Sequence, residues 1–199
     1  MADTNPDELE RRRIAAAEGR PSNEGRRLRE GAEGLERVPQ QQLVFRAMTL
    51  SDVPAICEIE REVFTSPWTA EAFINELTNN HFARYMVMEW RREVIGYGGM
   101  WTIMDEAHVT NIAVREAYQG QGLGERLLSE LQRTAVFFGA ARMTLEVRVT
   151  NDRAIHLYKK LGFEPSGTRP GYYSDNGEDA LIMWAELDHV KAGGQDDGA

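Results

Sequence analysis

"REAYQGQGLGERLLSELQ", residues 115–132, sets Gly120, Gly122 and Gly124 directly ahead of an apolar-periodic run. Leu123, Leu127, Leu128, Leu131, Ala135 and Phe138 fall at helical spacing, so the stretch predicts a tight turn opening a helix from about 123 to 138. Such a turn presents backbone N–H groups and the positive end of a helix dipole to an anion, which makes it a candidate phosphate cradle. Two familiar phosphate patterns do not fit. The nucleotide loop G-x-x-x-x-G-K-S/T needs a Lys followed by Ser or Thr, and no such pair follows here. The dinucleotide fingerprint G-x-G-x-x-G begun at Gly120 needs a sixth-position glycine, and Glu125 stands there. A turn that binds nothing remains the bland alternative.

Outward from this turn the pattern is of short strands and amphipathic helices. Upstream, "LVFRAMT" reads as a strand and "SDVPAICEIEREVF" as a helix, with Ser51 as N-cap and Pro54 in its first turn. "SPWTAEAFINELT" is a loop and a second helix capped by Thr69. "ARYMVMEW", "EVIGYGGMWTIMDE" and "AHVTNIAV" follow as strands. Downstream, "RMTLEVRV" is a strand, and "NDRAIHLYKKLGF" is a helix capped by Thr150 or Asn151 and ended by Gly162. "TRPGYYS" and "ALIMWAEL" pair around the Asn-Gly of "DNGE". The order β-α-α-β-β-β-α-β-α-β-β implies an α/β fold of the α+β kind, a mixed sheet with helices on its faces.

The chain has 199 residues, enough for one domain with tails. Residues 1–42 are dense in Arg and Glu, lack aromatics and are broken by Gly and Pro. They bury too little apolar surface to offset their ordering entropy, and read as a charged, disordered arm. Residues 43–188 form the domain, and residues 189–199 a flexible tail. The formal net charge of −9 disfavours nucleic acid as a partner and favours a basic one. One cysteine, Cys57, excludes an internal disulfide and suits a reducing compartment; on an apolar helix face it reads as a core residue. No apolar run reaches the roughly 18 residues of a membrane span, and no signal-peptide pattern opens the chain. A cytoplasmic monomer is expected. His81, His108, His156 and His189 show no ligand spacing, so no metal is expected. His108 opens the strand before the glycine turn and can touch a substrate there.

Gln119-Gly120-Gln121-Gly122-Leu123-Gly124 also matches Q/R-x-x-G-x-G/A, which resembles the acyl-CoA signature of the GNAT superfamily of N-acetyltransferases. "NIAVREAYQGQGLGERLL", "LEVRVTNDRAIHLYKKLGF" and "RPGYYSDNGEDALIM" follow in the order and spacing of its RimI type, the ribosomal-protein-alanine N-α-acetyltransferases. They are similar also to archaeal and eukaryotic N-terminal acetyltransferases. The resemblance covers roughly residues 44–187. It implies a bulge in the strand before the turn, and a next strand that splays away to leave a V-shaped gap for pantetheine. It implies acetyl-CoA as donor. Ile112, Ala113 and Val114 would then pair with pantetheine. Gln119, Gly120, Gln121, Gly122, Leu123, Gly124 and Glu125 would wrap the pyrophosphate, and Asn151 would also contact the cofactor.

Acetyl transfer to an amine needs a proton acceptor for the amine and a proton donor for the leaving thiolate. The resemblance assigns the first role to Glu146 and the second to Tyr158. On the residues alone, "TLEVRV" alternates and would turn Glu146 and Arg148 to solvent, while Tyr158 reads as a packed helix residue beside Leu157 and Leu161. Tyr172 and Tyr173, with Pro67 and Trp68 opposite, would form the walls of a peptide slot; Trp68 reads equally well as a core anchor. A free α-amine titrates near 7.7–8.0, so about a third is neutral at pH 7.5, against about a thousandth of a lysine amine near 10.4. A modest carboxylate relay therefore suits a protein N-terminus, such as the alanine of a small-subunit ribosomal protein, better than lysine. Acetylation of lysine or of a small amine stays open, as does a non-catalytic acyl-CoA-binding module.

Overall fold

The computed structural model describes residues 37–188 and 190. Most of the expected arm and tail, His189 included, lies outside the described residues. The elements in chain order are β1 (Val44–Ala47), α1 (Val53–Val63), α2 (Ala70–Asn79), β2 (Ala83–Trp90), β3 (Glu93–Ile103) and β4 (Glu106–Val114). They continue with α3 (Leu123–Phe137), β5 (Arg142–Arg148), α4 (Asp152–Lys160), β6 (Glu164–Tyr173) and β7 (Glu178–Glu186). The sequence order of strands and helices is as expected. All strands join one sheet in the order β1-β2-β3-β4-β5-β7-β6. Every pairing is antiparallel except β4 with β5.

Two apolar cores cover the two faces. Leu123, Leu127, Leu128 and Leu131 of α3 pack with Tyr158 and Phe163 against Met100, Leu145 and Val147. Ile56 and Ile59 of α1 and Phe73 of α2 pack with Trp68 against Tyr85, Val87 and Tyr97. The helix starts follow local chemistry. Thr69 Oγ1 accepts the Ala72 N–H, and Asn151 Oδ1 accepts the Ala154 N–H. The start of α1 differs from the expected Ser51 cap. A short 3₁₀ turn (Leu50–Asp52) precedes the helix, and Thr49 and Asp52 cap each other's backbone in a capping box. β6 begins at Glu164, four residues ahead of the expected "TRPGYYS"; as the edge strand it tolerates Pro165 and Pro170, whose missing N–H groups break no interior ladder.

The folded part also begins earlier than Leu43. Val38 is 4% exposed and belongs to the α3-side core, and its N–H donates to Gln121 Oε1 at 2.9 Å. Its apolar side chain sits in a charged stretch, where composition hides a single buried residue.

Candidate active site

The site is built on a break in the sheet. Gly99 of β3 pairs with Asn111 of β4, but Met100 pairs with Val109, so Thr110 is the extra residue of a bulge. Tyr85 packs beneath it: its hydroxyl lies 3.1 Å from Thr110 Oγ1 and donates to Asn111 Oδ1 at 3.1 Å. Gly99 makes room, since a Cβ there would lie 2.2 Å from the Tyr85 ring. β4 and β5 pair through Glu106–Arg142, Ala107–Met143 and His108–Thr144, and then separate. The bulge and the splay that the resemblance implies are both present. Past the fork, Ile112, Ala113 and Val114 lie on one arm and Leu145 to Arg148 on the other.

The glycine turn follows β4. Gly120 and Gly122 have φ of +81° and +79°, left-handed values that a side chain resists. Gly122 is the N-cap of α3 and supplies no side-chain cap, so the first N–H groups of the helix depend on an external acceptor. Gly124 is already inside the first helical turn. The Gln119 side chain is occupied in holding the turn to β4, Nε2 donating to the Val114 carbonyl at 2.9 Å, and Gln121 holds Val38. Their backbone, rather than their side chains, faces the cradle's task. Glu125, at the positive end of α3, bonds Lys160 of α4 at 2.7 Å. Asn151 Oδ1 caps α4 by accepting the Ala154 N–H. An uncapped helix start with glycines in left-handed geometry fits the pyrophosphate of coenzyme A.

At the apex of the fork stands Glu146. It is buried beside His108 and Arg169, and Arg148 is buried among Tyr173, Asp175 and Glu178, so the solvent-facing reading of "TLEVRV" fails for both. His108 Nε2 lies 2.7 Å from Glu146 Oε2, and Arg169 Nη2 lies 3.3 Å from Oε1. Neither partnership is visible in the sequence, since β4 and β5 meet 38 residues apart. Tyr158 is buried in the α3-side core, its ring 6.0 Å from that of Phe163.

The two expected slot walls are tied together. Tyr172 and Tyr173 stack edge to face at 5.2 Å at the end of β6. Arg148 lies over the Tyr173 ring at 3.8 Å and grips Asp175 with two bonds of 2.9 and 3.0 Å. Partial burial opposes ionisation of Glu178, but hydrogen bonds from Thr150, Asn176 and Arg148 outweigh it and hold its carboxyl at about 2. Thr65 Oγ1 donates to Asp175 Oδ2 at 3.2 Å, joining the loop between α1 and α2 to this hairpin. In that loop Pro67 is exposed, while Trp68 is buried against Phe73. The Trp68 N–H donates to Glu60 Oε2 at 2.6 Å, and Tyr97 donates to the other oxygen. Burial pushes the Glu60 carboxyl up to about 7, against the pull of these two bonds. Glu60 carries no motif and could have been suspected only as a glutamate on the apolar face of α1. Cys57 is half-buried at the margin of the α1-side core rather than within it, and this burial pushes its thiol up.

The Acetyltransferase (GNAT) family profile matches residues 53–163, spanning the bulge, the fork and the glycine turn. The chain belongs to the GNAT acetyltransferase family. Acetyltransferases of this family draw on acetyl-CoA as donor, and this chain is an acyltransferase. It is 48% identical over 142 residues to a Bacillus subtilis protein provisionally assigned as a ribosomal protein bS18-alanine N-acetyltransferase, covering 71% of this chain and 94% of that one. It is 36% identical over 141 residues to the ribosomal protein bS18-alanine N-acetyltransferase of Escherichia coli K12, covering 69% and 93%. The crystal structure of the ribosomal-protein-S18-alanine N-acetyltransferase from E. coli superposes on this acetyltransferase with a TM-score of 0.68 at 32% identity, covering 73% of this chain and 94% of that one. Among the described residues of this acetyltransferase, no helix is long and apolar enough to cross a membrane. No cluster of three or more His, Cys, Asp or Glu among them could hold a metal ion.

Proposed function

We propose that this acetyltransferase works in the cytoplasm as a monomer and transfers acetyl from acetyl-CoA to the N-terminal α-amine of a protein, the N-terminal alanine of a small-subunit ribosomal protein being the physiological acceptor. The observation that carries the reading is Glu146, a carboxylate buried at the point where β4 and β5 part. Relatives of high coverage named for the bS18 alanine support the acceptor, and the net charge of −9 suits a basic one.

Acetyl-CoA supplies the thioester. The chain's own groups do the rest. Ile112, Ala113 and Val114 offer backbone to pantetheine along one arm of the fork. The backbone of residues 119–125 holds the pyrophosphate at the start of α3, and Asn151 lies at the start of α4 on the other side. Tyr172 and Tyr173 with the Pro67–Trp68 loop orient the acceptor's N-terminus. Glu146 takes the amine proton, directly or through water, and the Tyr158 hydroxyl gives a proton to the departing sulfur. A phenol near pKa 10 is protonated at neutral pH and can do this.

Incubation with acetyl-CoA and a peptide panel, read by mass spectrometry, tests the proposal. The panel holds free N-termini beginning Ala, Ser, Met and Glu, and an N-terminally blocked peptide with internal lysines. Acetylation at free N-termini, strongest on the alanine peptide of the ribosomal protein, is expected. Acetylation of the blocked peptide would replace this reading with a lysine one.

A further inference from the structure

The geometry points to His108 as the proton-relay partner of Glu146, carrying the acceptor's proton from the buried carboxylate to solvent. This rests on the reading of Glu146 as the proton acceptor and extends it. At neutral pH most of a free α-amine is an ammonium, so a proton must leave the site in each turnover. Glu146 has no direct way to release it: its side chain is 1% exposed. Its carboxylate touches two groups that could carry charge away. Arg169 Nη2 at 3.3 Å from Oε1 is a donor only and takes up no proton. His108 Nε2 at 2.7 Å from Oε2 belongs to a ring that can accept at one nitrogen and release at the other, and its side chain is 19% exposed. The imidazole thus bridges a dry carboxylate and water.

The groups around the ring fit this task. Across β3 the neighbour is Trp101, its ring 6.3 Å away edge to face, which carries no charge. Across β5 it is Thr144, whose hydroxyl donates to the Met183 carbonyl. On its own strand, Glu106 is paired with Arg142. The charged groups at the relay are therefore Glu146, and Arg169 on that carboxylate's far oxygen. His108 sits at the last paired position before the strands part, where the backbone still fixes it.

The step balances as follows. The acceptor ammonium loses one proton to Glu146, which passes it to His108 Nε2; Nδ1 releases a proton to water, and tautomer exchange of the ring then restores Nδ1–H and a bare Nε2 for the next turnover. The neutral amine forms its N–C bond as the C–S bond breaks and the sulfur leaves with the pair. Tyr158 gives its proton to the sulfur and regains one from the acylated nitrogen. One proton reaches solvent per amide formed.

The test compares the full chain with H108Q, which keeps an amide beside Glu146 without a titrating group, and with H108A, assayed with and without added imidazole. E146Q is run in parallel. Melting temperature and acetyl-CoA affinity establish that each variant is folded. H108Q is expected to lose about tenfold in kcat at pH 7, with acetyl-CoA KM unchanged, and to recover as pH rises above the amine's own pKa. Imidazole is expected to restore part of the H108A rate. A wild-type pH profile in H108Q, or a loss that is equal at all pH and indifferent to imidazole, would overturn the relay. If H108A unfolds, H108Q decides alone; if H108Q unfolds, the response of H108A to imidazole decides. If neither folds, His108 is a structural residue and the relay fails. Full turnover in E146Q would instead sink the reading of Glu146 itself, whereas a dead E146Q beside an unimpaired H108Q would remove the relay alone.

Discussion

Thr65 donates to Asp175 across 3.2 Å, so the loop after the first helix and the turn of the last hairpin, 110 residues apart, close on each other. The contact is exposed and its own energy is small. Its value is positional, because the two walls assigned to the acceptor meet there. T65A is expected to raise the peptide KM a few-fold and leave acetyl-CoA KM and melting temperature almost unchanged. D175A should do more. It strips Arg148, whose side chain is 5% exposed, of a two-pronged partner, and should destabilise the fold by about 2 kcal/mol even with Glu178 and Asn176 still bound. Steady-state kinetics with both substrates and a urea titration separate the two effects.

The catalytic assignment is open to a direct trial. E146Q and Y158F are each expected to lower kcat by about 10²–10⁴ while acetyl-CoA affinity stays as it is. Isothermal titration with coenzyme A beside initial rates reads both quantities. Loss of affinity in step with loss of rate would show that the side chains build the pocket rather than move protons.

Gly122 combines a φ of +79° with the N-cap of α3. G122A should cost about 1 kcal/mol in stability through the left-handed strain and raise acetyl-CoA KM by about tenfold, because the cradle's N–H groups turn with the backbone. G99A acts elsewhere. Its Cβ would meet the Tyr85 ring at 2.2 Å, so the ring must move and the bulge at Thr110 with it. We expect about 2 kcal/mol of destabilisation, read from thermal melts.

Glu60 predicts a pH dependence of stability. Burial lifts its folded-state pKa from 4.5 to about 7. Between those values the folded chain holds a proton that the unfolded chain has lost, so stability falls as pH rises through the window and levels off above it. The full span is about 3 kcal/mol. E60Q should lack this slope. Denaturant titrations of both proteins at pH 5.5, 7 and 8.5 check it; parallel curves would mean that Glu60 ionises as an exposed carboxylate does.

Much of the fold was legible because its signals are local. Thr69, Asn151 and Gly162 mark helix ends by chemistry that acts within four residues, and the Asn-Gly pair places the last hairpin. The glycine turn was legible for the same reason. Glu146 was not legible from its own strand. Alternation in "TLEVRV" predicts one wet face, but β5 is an interior strand whose polar face is covered by side chains from distant strands and turns, and only the family resemblance pointed to a role for Glu146. Its contacts with His108 and Arg169 come from a parallel pairing and a strand exchange that no short window of sequence encodes. Val38 and Glu60 were hidden by their company, an apolar residue in a charged stretch and a charge on an apolar helix.

The short seam between β4 and β5 has a mechanical meaning. Within the sheet, three residue pairs join the larger part, β1 to β4, to the smaller part, β5 to β7, above the α3-side core that both share. A donor lying along the fork, as proposed, would sit between the Ile112–Val114 arm and the β5 arm and act as a fastener between two plates. Stiffness would then rise and fall with occupancy, so that the protein is most rigid when loaded and loosens as product leaves.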